Sequence, residues 1–374
     1  APSHLYYQCT SHSSMGGNIY ITGREDVNVQ LSHRNFIING AMEVAQRGGS
    51  VVTVAQDTTT YRVDRFGFHE RTGGSAQLRQ STDVPAGQGF CNSFYANIVS
   101  TDSSITGNEY SVIRYVVEDK DVQHLQWGTS NAKPLTVSFW VKSNVAAQTM
   151  CFNVSNWPTN SRTFIAEYTL PSGTANSWQK HVINIPGDTT GTWTHIALHW
   201  VLAASSDYIK SGTGWGAWSG SGGLEIATSN QYNWFGDANH FYLTGVQLER
   251  GNVSTPFEHR SYAEQLLRCQ RYYQISVSES SPGVLPGRGT GTSTVFAQVP
   301  LICSMAKVPS LSESDFSQVY AYLYDSRPHN GSSGTVSTNS SQFNANGGYL
   351  GISIGGFGGA IDDDRVVNIG GYAS

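Results

Sequence analysis

The chain has 374 residues, of which only 13 % are charged, with 22 basic and 27 acidic side chains and a formal charge of −5. That balance gives no field favouring nucleic acid or an anionic membrane, and no apolar run approaches the roughly 20 residues of a membrane-spanning helix. Glycine at 40 positions, 11 % aromatic residues and Ser plus Thr at roughly a fifth of the chain exclude disorder and a collagen-like repeat, and point to a folded, β-rich protein.

Residues 1–34 are polar, with one short apolar alternation at Ile19-Tyr20-Ile21. They read as an arm with a strand or two, too small to bury a core of its own, and either an attachment or exchange segment or a floppy terminus. The start has neither a basic cluster nor an apolar stretch, so no secretory signal is expected. Cys9, Cys91, Cys151, Cys269 and Cys303 share no metal or redox spacing. They are expected to be plain buried thiols of a chain folded in a reducing cytoplasm.

From 35 to 256 short strands alternate with turn signals. In Leu135–Lys142, one face carries Leu135, Val137, Phe139 and Val141; the other carries Thr136, Ser138, Trp140 and Lys142. In the next clear strand Thr194, Ile196, Leu198 and Trp200 oppose Trp193, His195, Ala197 and His199. Alternation continues through Phe241–Leu248. One apolar and one mixed face per strand is the pattern of antiparallel sheets packed on one side, hence an all-β fold with a β-sandwich at 35–256. A linking segment, 257–277, contains a helix expected over 262–273. Pro256 stops the last strand, Ser261 and Glu264 have capping-box spacing, and Ala263, Leu266, Leu267, Gln270 and Tyr273 share one face. Residues 278–374 read as a smaller C-terminal β domain. In it Val319, Ala321 and Leu323 alternate with Tyr320, Tyr322 and Tyr324. Stretches 278–292 and 330–348 read as loops, Gly287–Gly291 as a flexible linker, and Gly355–Gly359 as tight turns.

Two segments carry a resemblance. Asn35-Phe-Ile-Ile-Asn-Gly-Ala-Met-Glu43, Ala45-Gln-Arg-Gly48 and Tyr61-Arg-Val-Asp-Arg-Phe66 resemble the opening of phage virion proteins of the tail-fibre or head-fibre kind. Phe241–Gly251, Thr255-Pro-Phe-Glu258 and Leu266–Tyr273 follow that family's order and spacing. The same region is similar to jelly-roll carbohydrate-binding modules in its Asn39-Gly40 opening with Glu43, its Leu135–Lys142 strand and its closing Val246-Gln-Leu-Glu249. The resemblance implies a jelly-roll β-sandwich, a place in the virion after assembly in a host cytoplasm, and a homotrimer or other ring-like homo-oligomer with the helix near its axis. It also implies contacts to other virion proteins through residues 1–34 and affinity for a host-surface polysaccharide. The structural calcium of such modules goes with an acidic residue just before the closing Val. Gly245 stands there instead, so no cofactor is expected.

Sugars are bound by stacking an aromatic ring on their C–H face and hydrogen-bonding their hydroxyls with planar polar groups. Trp215 and Trp218, in a glycine-rich run, with Tyr232, Asn233 and Trp234 shortly after, form one candidate glycan platform. The alternative is that these rings cap the sandwich or fill a subunit contact. Trp140, Trp193, His195 and His199, read as one mixed sheet face, form a second candidate, a sugar groove or else a face covered by a partner or a loop. His195 and His199 on a strand lie roughly 13 Å apart, too far for one metal ion. No nucleophile elbow or metalloprotease helix appears, and Asp362-Asp-Asp-Arg365 reads as a solvated turn, so no catalytic residues are assigned and no enzyme is expected. A purely architectural virion protein and a polysaccharide-degrading spike are the alternatives.

Overall fold

A computed structural model describes residues 4–12, 15–20, 33–54, 56–217, 225–274, 283–290, 294–299, 301–307, 318–323, 343–344, 347–353 and 366–372. The chain divides into two compact units, Ala1–Gln265 and Leu266–Ser374. Their boundary falls inside a nine-residue helix, Tyr262–Gln270, and among the described residues no helix is long and apolar enough to cross a membrane.

The first unit opens with a hairpin of β1 (His4–Gln8) and β2 (Gly16–Tyr20). The sandwich strands follow: β3 (Val52–Thr53), β4 (Thr58–Tyr61), β5 (Gly67–Arg71), β6 (Ser75–Ser81), β7 (Ser93–Ser100) and β8 (Tyr110–Val117). A short helix, α1 (Asp119–Val122), precedes β9 (Leu135–Ser143), β10 (Gln148–Trp157), β11 (Arg162–Leu170), β12 (Gln179–Ile185), β13 (His195–Ala204), β14 (Gly214–Ala217) and β15 (His240–Arg250). One antiparallel sheet has the order β14-β11-β10-β13-β8-β5-β4, the other β12-β9-β15-β7-β6-β3. They form a jelly-roll β-sandwich, in agreement with the sequence reading.

The core follows from the alternation. Leu135, Val137, Phe139 and Val141 face Ile196, Leu198 and Trp200 across the two sheets, all fully buried. Trp200 meets Phe139 edge-on at 5.6 Å and Phe152 at 5.3 Å. Such pairs add about 0.5–1.5 kcal/mol beyond area burial. The outer face of the seven-stranded sheet is also covered by a loop, the alternative reading of the mixed face of β13. Val112, Cys151, Ile165 and Val201 form a second small core there with Tyr208, Ile226 and Ala227 from the chain after β13.

The motif residues behind the family resemblance close the sandwich. Asn35 Oδ1 accepts the Ile37 and Leu248 amides at 2.9 and 3.0 Å. Asn39, at φ +63°, accepts the Val44 amide and donates to the Val44 and Asp64 carbonyls. Gly40 lies so close to β15 that a Cβ would sit 2.1 Å from the Val246 carbonyl oxygen. At the other end Glu249 holds the Thr255 amide at 3.0 Å, and the Glu258 carboxylate accepts the His33 and Asn35 amides. These polar side chains are buried or nearly so, and what they satisfy is backbone.

Gly245 lies in a bulge of β15 at φ +60°, where a Cβ would sit 2.7 Å from Phe90 and 2.8 Å from Trp140. An acidic side chain has no room there, so the calcium arrangement of the resembling modules does not fit this chain.

Helix α2 spans Tyr262–Gln270, shorter than expected at its C-terminal end, and the Glu264 amide caps onto Ser261 Oγ at 3.3 Å. The second unit holds the expected smaller β domain, a six-stranded antiparallel sheet. Its strands are β16 (Gly283–Thr290), β17 (Thr294–Val299), β18 (Gln318–Leu323), β19 (Phe343–Asn344), β20 (Gly347–Ser353) and β21 (Val366–Tyr372), in the order β18-β21-β16-β17-β20-β19. The linker expected at Gly287–Gly291 is corrected: Gly287–Thr290 pair with both β17 and β21 or with β17 alone, as backbone pairing needs no side chain. Strands β19 and β20 also enter the end of the stretch read as a loop. Residues 330–342, Gly355–Gly359 and the Asp362–Arg365 cluster lie outside the described residues.

All five cysteines are free thiols. Cys151 and Cys269 are buried as expected, whereas Cys91 is exposed and Cys9 and Cys303 are half-buried.

Candidate glycan-binding cleft

At one end of the sandwich three loops meet. The chain from α1 to β9 brings Trp127, the turn before β13 brings Trp193, and β14 brings Trp215. The three indoles are mutually near-perpendicular. Trp127 and Trp193 lie 4.7 Å apart at 79°, Trp127 and Trp215 5.5 Å apart at 89°, and Trp193 and Trp215 5.5 Å apart at 80°. Each indole N–H is spent on a backbone carbonyl: Trp127 on Lys133 at 2.6 Å, Trp193 on Thr190 at 3.1 Å, Trp215 on Pro186 at 2.8 Å. The rings are thus fixed in place; Trp127 is largely buried, at 8 % exposure, and Trp193 and Trp215 are half-buried.

An ion pair between the half-buried Arg162 and the buried Asp188 holds the turn. Arg162 Nε and Nη2 each donate to Asp188 at 2.8 Å, the fork geometry that binds a carboxylate most firmly. Asp188 is 3 % exposed. Burial pushes its carboxyl up, but the hydrogen bonds from Arg162 and Thr190 outweigh it and hold it below its ordinary range. The same guanidinium lies 5.8 Å over the Trp215 ring. Close backbone packing at Gly128, where a Cβ would be 2.4 Å from the Gly191 carbonyl, locks the α1–β9 loop onto this turn.

Beside the tryptophans opens a cleft of about 550 Å³, within the size range of small-molecule sites. Trp127 and Trp193 form its apolar wall, and Asp119, Gln123, Gln126 and Asn131 line it with planar polar groups. Among the described residues the amides of the two glutamines and of Asn131 have no side-chain partner, so donors and acceptors stand free next to aromatic surface.

The sequence candidates are distributed differently. Trp193 lines the cleft, but on the loop before β13, so the strand alternation that grouped it with His195 and His199 does not reach it. Trp215 stands behind it, packed on Trp127, Trp193 and Phe164, and caps the sandwich end. Trp234 is corrected: it is 1 % exposed in the core and has no face to offer a sugar. Asn233 caps the turn at Trp234–Gly236, accepting the Phe235 amide and donating to the Asp102 carbonyl, and Tyr232 packs against the core beside it. Trp218 lies outside the described residues.

The second grouping is also corrected. Trp140 belongs to the six-stranded sheet, on β9, while His195 and His199 belong to β13 of the other. His199 is 1 % exposed and hydrogen-bonded through Nδ1 to Asn153 at 2.8 Å. Burial, and then the charge of Arg114, push its imidazole down to about 3, so it is neutral. His195 is half-buried at the start of the strand, in register with Trp157.

Asp119, Gln123, Gln126, Trp127 and Asn131 escaped the sequence reading. The signal was present in Gln123-His-Leu-Gln-Trp-Gly-Thr-Ser-Asn131, an indole among planar amides between two strand patterns.

No family model matches the chain, and no curated protein matches it. Solved structures similar to part of the chain include the enzymatically active domain of tailspike protein 4 of bacteriophage CBA120, at 12 % identity and a TM-score of 0.28. The match covers 58 % of this chain and 21 % of the tailspike domain, so this chain spans about a fifth of that protein. The family 11 carbohydrate-binding module of Clostridium thermocellum, solved with a mixed-linked tetrasaccharide, is similar at 13 % identity over 55 % of this chain and 98 % of its own, with a TM-score of 0.28. The CBM22-1 xylan-binding domain of Paenibacillus barcinonensis is similar at 11 % identity over 55 % and 98 %, with a TM-score of 0.27.

Proposed function

We propose that this chain is a glycan-binding protein whose site is the cleft walled by Trp127 and Trp193. The observation that carries the reading is the pairing of two anchored indoles with unpartnered planar amides in one cleft. A ring face stacks on a sugar's C–H face while Gln123, Gln126 and Asn131 reach its hydroxyls. The cleft is lined by a single carboxylate, Asp119, whereas glycoside hydrolysis generally uses two, which supports binding without turnover.

Following the sequence resemblance, we place the chain in a phage virion as a homotrimeric fibre or spike protein that grips a host-surface polysaccharide. Its N-terminal hairpin would fasten to other virion proteins. Supporting that, Leu5, Tyr6, Tyr7, Met15 and Ile19 of the hairpin and its turn are all exposed, more apolar surface than two free strands sustain in water.

The test is a glycan array probed with the protein and with Trp193→Ala. Binding to a defined set of polysaccharides, reduced about tenfold or more by the substitution, is the expected result. Unchanged binding removes the cleft from the account. Reducing ends released from a bound polysaccharide would convert the binder into a depolymerase.

A further inference from the structure

The cleft walled by Trp127 and Trp193 is electrostatically one-sided. Its lining holds one acidic side chain, Asp119, and among the described residues no lysine or arginine. Asp119 opens α1, where Glu118, Asp119 and Asp121 stand against one cation, Lys120. Asp119 Oδ1 accepts the Lys120 amide at 2.7 Å. Its carboxylate has no ion-pair partner among the described residues, and the exposed Lys120 ammonium has none either. Arg162, at the same end of the sandwich, is spent on Asp188.

The other walls carry nothing that answers this charge. Gln123, Gln126 and Asn131 bring neutral amides, and Trp127 and Trp193 bring indoles. An indole's π system is electron-rich and attracts cations rather than anions. The electropositive N–H of each ring is already donated, to the Lys133 and Thr190 carbonyls, so neither indole has a donor left for an anion. A carboxylate without a counter-ion, set in one cleft with aromatic surface, is the chemistry that receives an ammonium group.

We propose, resting on the reading of this cleft as the glycan site, that it selects an amino sugar whose free amine carries a proton, with Asp119 as the residue that sets the choice. The ammonium is held by the Asp119 carboxylate beside the indole wall, while the amides hydrogen-bond the sugar's hydroxyls. N-acetylation removes the cation that the carboxylate answers. Uronic acids and other anionic sugars meet like charge and are turned away.

The experiment is calorimetric titration of the full chain, at mildly acidic pH and low salt, with the trimer of glucosamine, its fully N-acetylated form and a galacturonate trimer. The free-amine trimer is expected to bind about tenfold tighter than the N-acetylated one, the scale of one hydrogen bond between charged partners. The galacturonate should bind weakest. Asp119→Asn should bring the two glucosamine ligands to near equality, whereas Asp121→Asn, which removes an exposed charge outside the lining, should leave the preference in place. Added salt should shrink the preference in the parent chain. Asp119 is not a core residue, so its variant is expected to keep the parent Tm. Equal affinity for the amine and its N-acetylated form, both weakened by Trp193→Ala, overturns the choice of sugar and leaves the glycan cleft standing. A preference that Asp119→Asn does not change also overturns it. Binding of neither glucosamine trimer overturns it as well, and glycan-array binding that Trp193→Ala leaves intact removes the cleft and the amino-sugar choice together.

Discussion

His199 shows how one side chain sets a pH response. Its imidazole is neutral in the folded chain, pushed down to about 3 by burial and then by Arg114 and His69. In the unfolded chain the same ring titrates near 6.5. Between those values the unfolded state holds more protons, so stability falls as pH drops below about 6.5 and goes on falling toward about 3. His199→Gln keeps a donor for Asn153 and removes the titration. The expected outcome, by urea unfolding at several pH values, is a shallower acid limb, by about 1.4 kcal/mol per pH unit; an unchanged slope would show that His199 is not the group. The surroundings of this residue were half legible. Strand alternation placed His199 opposite Trp200, but the cover over that sheet face comes from Tyr208, Ile226 and Ala227, which only the fold brings there.

At the level of elements, the turn before β13 depends on the Arg162–Asp188 pair. Removing the Asp188 charge leaves the half-buried Arg162 guanidinium without its carboxylate, which costs about 1.5–3 kcal/mol. Asp188→Asn is therefore expected to lower stability by that order and, because Asp188 also accepts the Trp193 indole N–H at 3.3 Å, to weaken glycan binding in the variant that remains folded. Calorimetry and the array binding measurement check both halves. The pair also fixes a sign for acid. The Asp188 carboxyl is held below its ordinary range, so its contribution is present above about pH 4 and is lost as pH falls through the lowered value. The closing strand makes a similar demand. Gly40→Ala forces a methyl into the Val246 carbonyl and is expected to cost about 2–4 kcal/mol, seen as a lowered Tm. The motif around Gly40 was plain in the sequence as a resemblance, but its reason was not. Asn35, Asn39 and Glu258 are polar residues that satisfy backbone, and spacing alone does not separate that duty from ligand binding. Glycine misled in the opposite direction at β16, where a run that reads as linker pairs as strand.

For the whole molecule, the proposed function raises the question of how a shallow site would hold a polysaccharide surface. The cleft was illegible as a unit because residues 119–131 and Trp193 lie more than 60 positions apart in the chain, on loops joined only by sheet topology. One indole wall and a few amides bind a single sugar weakly, with Kd of the order of millimolar. The homotrimer proposed above would present several such sites together and multiply that grip by about 10²–10⁴ through effective concentration. The full chain is therefore expected to scatter light as a trimer. Its apparent affinity for a dense polysaccharide surface should exceed its affinity for the matching soluble oligosaccharide by that factor. Surface and solution affinities that agree within a few-fold would mean that the copies do not act together. Adhesion would then need tighter single-site binding than this cleft provides, and the exposed hairpin would point to an architectural role instead.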